Sequence, residues 1–147
     1  MFKKLAIVAA FAAFSVSTYA QARLFGGDPG QNLYYEVNTT TGVFLTSQAV
    51  SLPSFTVTGI NAMTVDPTTG TVYIIAKTGS GRRLATLNLS TGAATDIGNL
   101  GDNFATLAFT TSGQLYGVTG DGATVPETMY TINKTNASKT LFLTLGN

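Results

Sequence analysis

The residues from Ile60 to Gly101 are repeated, element by element, in the residues that follow them. Met63-Thr64-Val65 is answered by Leu107-Ala108-Phe109, and Gly70-Thr71-Val72-Tyr73 by Gly113-Gln114-Leu115-Tyr116. Leu87-Asn88 is answered by Ile132-Asn133, and Leu100-Gly101 by Leu145-Gly146, a period of about 45 residues. A partial copy lies upstream, where Tyr34 to Asn38 and Gly42 match Leu84 to Asn88 and Gly92. Such a chain must fold as a row of small like units, each burying its apolar side against the next.

Each copy reads as four short strands. In the best-preserved one they are Ala62 to Val65, Thr71 to Ala76, Leu84 to Leu89 and Ala94 to Ile97. The second is continuously apolar from Val72 to Ala76, as expected where neighbours cover both faces. In the third, alternation puts Tyr35, Ala85 and Tyr130 on one face with Val37, Leu87 and Ile132. Tyr34, Leu84 and Met129 share the opposite face with Glu36, Thr86 and Thr131. The following copy predicts strands at Thr106 to Phe109, Gln114 to Thr119, Met129 to Asn133 and Thr140 to Leu143. A further strand is expected around Phe55-Thr56-Val57, with Pro53 marking a kink or an edge. No amphipathic helix of useful length follows the N-terminal segment.

The turns carry their own signal. Asn38 to Gly42 (NTTTG), Asn88 to Gly92 (NLSTG) and, in weaker form, Asn133 to Ala137 (NKTNA) share one spacing. An Asn can accept bonds from its own downstream backbone and a Gly supplies positive φ, which together make a hairpin turn between third and fourth strands. That chemistry also accounts for the Asn-x-Ser/Thr matches there without a glycan. Asp66 to Gly70 (DPTTG) is the turn between first and second strands.

The first residues stand apart. Lys3-Lys4, an apolar run from Leu5 to Phe14 and Ala20-Gln21-Ala22 have the layout of a signal peptide cleaved after Ala22, with Ala20 the near alternative. The run is shorter than the roughly 20 apolar residues that span a bilayer, so the mature chain is expected to be secreted or periplasmic. Without Lys3 and Lys4 the formal charge moves from +1 to about −1, with no basic track for nucleic acid or an anionic membrane. Arg82-Arg83 reads as two solvated charges at a loop tip. With no Cys and no His, disulfides, thiolates, imidazole bases and the Ser-His-Asp and Cys-His mechanisms are excluded.

The cadence Leu-Tyr-x-Val-Asn-x-x-Thr-Gly, followed by Gly-Ile-x-Ala-x-x-x-Asp-Pro-Thr-Thr-Gly-x-x-Tyr, resembles the repeats of secreted bacterial β-propellers of the YVTN and quinoprotein-like superfamily. Here it is carried by Tyr35 to Gly42, Gly59 to Tyr73, Leu84 to Gly92 and Leu115-Tyr116. The resemblance implies an all-β chain, a partial β-propeller of about two and a half four-stranded antiparallel blades. The expected divisions are a signal peptide (1–22), an incomplete first blade (23–59), a second blade (60–104) and a third (105–147). Too few blades to close a ring leave about 300 Å² of sheet open at each end, so further blades are the expected partners. They come from a longer chain or from other copies, and the stop at Leu145-Gly146-Asn147, where a new innermost strand would begin, favours the longer chain.

The functional expectation is an exported, non-catalytic module that binds a protein or glycan through its loops or serves in assembly, with no cofactor. A ring-forming lectin fits less well, since such pockets rely on Trp and the chain has none. The alternative is a metal-assisted hydrolase or lyase fragment, with Asp66, Asp102 and Asp121 as candidate oxygen ligands. Their Pro- and Gly-flanked settings are also those of ordinary turns.

Overall fold

The computed structural model describes residues 23–145. The expected signal peptide therefore lies outside the described residues. The described chain is all β: β1 (Leu24–Gly27), β2 (Leu33–Val37), β3 (Phe44–Ala49), β4 (Val57–Val65), β5 (Val72–Thr78), β6 (Gly81–Leu87), β7 (Ala94–Asn99), β8 (Phe104–Phe109), β9 (Leu115–Thr119), β10 (Thr128–Ile132) and β11 (Lys139–Thr144). They form three antiparallel sheets in the orders β1-β2-β3, β4-β5-β6-β7 and β8-β9-β10-β11. Within each sheet every strand pairs antiparallel with the next in sequence, and the steps from β3 to β4 and from β7 to β8 carry the chain from one sheet to the following one.

Two apolar layers lie between the sheets. Tyr34 of β2 joins Ile60, Val72, Ile74, Ala85 and Leu87 between the first and second sheets. Tyr73, Ile75 and Leu84 join Phe104, Leu115 and Ile132 between the second and third. The alternation of β5 divides its apolar run: Val72, Ile74 and Ala76 point one way, Tyr73 and Ile75 the other. Ile74, Ile75 and Ala76 are fully buried. The expected faces of the third strand hold, since Ala85 and Leu87 face the preceding sheet and Leu84 the following one.

The sheets approach along β1, β2, β4, β5 and β8. Farther out they are joined through loops. Ser51 N donates to Gly92 O at 2.9 Å, and Ala94 N donates to Ser51 O at 2.8 Å. Tyr34 Oη, buried between sheets, donates to Leu89 O at 2.9 Å. At Gly98 of β7 a Cβ would lie 2.9 Å from Asn136 O and 3.1 Å from the Ala137 Cβ, so an outer strand lies directly on the next sheet's turn.

Three sequence expectations need correction. No separate strand forms around Phe55: Phe55 makes only an isolated bridge with Leu52, and Val57 opens β4. The expected divide between residues 59 and 60 falls inside that strand. Bulges at Val57/Gly59 and Ile60/Ala62 bend β4, and Ile60 N donates to Asp28 O of the first sheet at 2.6 Å, so the strand runs on past its apolar core pattern. Nor are Arg82 and Arg83 loop-tip charges. Gly79-Ser80 alone turn the hairpin, and both arginines lie on β6. Arg83 makes a two-pronged ion pair with Asp96 of β7, at 2.6 and 2.5 Å, and its guanidinium sits 3.9 Å from the Phe55 ring centre.

Candidate functional site: repeated turns, three aspartates and two open sheet faces

One turn is built four times. Asn38 Oδ1 accepts from Thr40 N and Thr41 N at 2.9 and 3.0 Å, and Gly42 N donates to Asn38 O at 2.8 Å. Asn88 Oδ1 accepts from Ser90 N and Thr91 N at 2.8 and 3.2 Å, with Gly92 N to Asn88 O at 2.9 Å. Asn133 repeats the pattern with Thr135 N at 2.8 Å and Ala137 N at 3.0 Å. Asp66 does the same with Thr68 N at 2.9 Å and Gly70 N at 2.8 Å, so the turn after a first strand has the geometry of those after third strands. The fifth residue is left-handed each time, with φ of 72° at Gly42, 73° at Gly70, 72° at Gly92 and 59° at Ala137.

Asp66 has a second task. It is only 1% exposed, and its Oδ2 accepts from Lys134 Nζ of the third sheet's turn at 2.6 Å. The ammonium, with the Thr68 hydroxyl and N–H, holds this carboxyl down at about 2 against an ordinary 3.8. It fastens the second sheet to the third.

Asp102 follows β7. Burial pushes its carboxyl up, but N–H donors from Thr124 and Asn103, both at 2.8 Å, together with Lys139 at 3.7 Å, bring it below its usual range. These contacts draw the long β9–β10 connection inward. That connection is closed further by Thr119, whose hydroxyl donates to Val125 O at 2.7 Å and accepts from Thr128 N at 3.1 Å. Asp121 is exposed at its tip.

The three candidate aspartates therefore serve separate turns. Among the described residues no group of three or more His, Cys, Asp or Glu side chains lies close enough to hold a metal ion. Sequence reasoning did not find Lys134 as the partner of Asp66. The two are 68 positions apart, and only the stacking of sheets brings them together.

Beside the turns, the second and third sheets carry equivalent open clefts of about 380 and 390 Å³. Thr86, Asn88 and Thr95 line one; Thr131, Asn133 and Thr140 line the other. Hydroxyls and amides of this kind can hydrogen-bond a polar ligand.

The more distinctive surface is apolar. On the first sheet's outer face Phe44 is 62% exposed and stacks on Tyr35 at 4.4 Å between ring centres. On the third sheet's outer face Phe142 is 56% exposed and meets Tyr116 edge-on at 5.0 Å. Tyr73, the repeat counterpart of Tyr116, is buried and meets Phe109 of the next sheet at 5.3 Å.

No protein-family model, curated protein or solved structure matches the chain. The grounds for a functional reading are thus its own repeats.

Proposed function

We propose that the chain is an exported, non-catalytic β-propeller module: two complete blades and one lacking its innermost strand, whose task is assembly and binding. Its two outer faces are covered by further blades of the same kind, from other copies or a longer chain. The supporting observation is that one interface is built twice within the chain. In both, the following face of one sheet packs on the preceding face of the next. Among the described residues nothing packs on the third sheet's following face, Tyr116, Met129 and Phe142. Nor does any described element pack on the first sheet's preceding face, Tyr35, Val37 and Phe44. Repeat symmetry makes these two faces mates, a head-to-tail contact of the kind that closes rings.

The scale is adequate. Burying half of about 300 Å² of apolar face at each end is worth several kcal/mol at about 25 cal/mol per Å². Export follows from the layout of residues 1–22.

Sedimentation velocity of the purified protein over a range of concentrations tests this reading. It should run as a multimer whose population grows with concentration. A monodisperse, cooperatively folding monomer at the highest concentration would contradict it.

A further inference from the structure

The first sheet has three strands where the other two have four, and the repeat shows which is missing. β2 and β3 correspond to β6 and β7, so β1 corresponds to β5. The counterpart of β4, which would pair with the free edge of β1, has no occupant among the described residues. β1 and β4 are joined at one end by the bond from Ile60 N to Asp28 O. Toward the other end they leave a mostly apolar groove of about 190 Å³, where Phe25, Met63, Val65 and Leu89 are joined by Arg23 and Thr64.

We infer that this edge and groove form an acceptor site for an extended strand with the repeat's own innermost-strand pattern, small residues alternating with large apolar ones. It rests on the repeat reading above, and adds a second, separate contact to the stacking of faces. The pattern follows from the two innermost strands present. In β4, Met63 packs toward the preceding sheet and Ala62 toward the following one. In β8, Leu107 and Phe109 pack toward the preceding sheet, and Thr106 and Ala108 alternate with them. A strand added to β1 would therefore turn its small residues into the groove. That suits so narrow a space, and a large side chain there would overfill it. Its large residues would extend the apolar face made by Leu24, Tyr35 and Val37. Its backbone would take up the edge hydrogen bonds of β1, as in β-strand addition.

The test is binding of a labelled synthetic peptide, Asn103 to Thr110 of this chain, to the purified protein by fluorescence anisotropy. The native peptide should bind at least about tenfold more tightly than one carrying Thr106→Phe and Ala108→Phe. Val65→Lys, at a half-exposed position in the groove, should weaken binding by about tenfold, and Leu141→Lys, exposed on the far strand, should not change it. Should Val65→Lys fail to fold by circular dichroism, Leu89→Lys, at another position lining the groove, serves in its place. Equal binding of the two peptides, or binding indifferent to both groove substitutions, would overturn the inference. Loss of peptide binding with multimers intact would sink this site alone, whereas peptide binding by a strict monomer would sink only the stacking of faces.

Discussion

The second and third sheets are built from one pattern, yet they meet solvent differently. Ile97 and Phe142 are each the extra residue of a bulge in the outermost strand pair. Ile97 packs on the apolar layer between sheets, while Phe142 is largely exposed. Ile75 is fully buried, and its counterpart Val118 is only half-buried. A sheet meant to face water replaces apolar with polar residues on its outer side. The third sheet keeps Tyr116, Met129, Phe142 and Leu143 there, and the first keeps Tyr35, Val37 and Phe44. The difference in burial comes from position in the stack, and the outer faces retain the composition of a covered one.

The strongest way to break this comparison is to truncate matched aromatics. Phe104→Ala, at a fully buried position, should cost about 4 kcal/mol in urea unfolding. Phe142→Ala, measured on dilute protein, should cost less than about 1 kcal/mol. Equal losses would mean that the outer face is already sealed within one copy.

The turns sharpen the same contrast at smaller cost. Gly42 and Gly92 share a φ of 72°, but a Cβ at Gly42 meets open space, and one at Gly92 would lie 2.2 Å from Ala49 O of the neighbouring sheet. Gly42→Ala should cost about 1 kcal/mol, from left-handed strain alone. Gly92→Ala should cost about 3 kcal/mol, since the neighbouring backbone must also move. Thermal unfolding of the two variants gives the comparison.

Much of this was legible from the sequence, because it is local. The strand faces follow from two-residue alternation, and the turns follow from Asn and Gly four positions apart. The split of β5 between two layers is legible too, since a run apolar at every position needs cover on both faces. What was not legible depends on which sheet lies against which. Arg83 reads as a loop charge until β7 brings Asp96 beside it. Asp66 reads as a turn residue or a metal ligand until the third sheet delivers Lys134. The true start of β4 depends on Asp28, far away in sequence.

The smallest expected effect concerns that Asp66–Lys134 link. The folded chain holds the Asp66 carboxyl at about 2, below its ordinary 3.8, so the unfolded chain takes up the proton first as pH falls. The stabilisation is complete above the ordinary value and is lost as pH drops through about 2. Asp66→Asn should flatten this acid-side slope in urea midpoints between those two values. A slope unchanged by the substitution would show that the link adds nothing to joining the sheets.

The most direct measurement is a complementation by mixing. Phe44→Glu spoils the first sheet's open face, and Phe142→Glu spoils the third's. If the two faces are mates, each variant alone sediments as a monomer, because it lacks one half of the contact. An equimolar mixture then sediments as a dimer through the remaining pair of intact faces. A mixture that stays monomeric, or single variants that assemble as the unsubstituted protein does, would contradict the head-to-tail stacking of sheets.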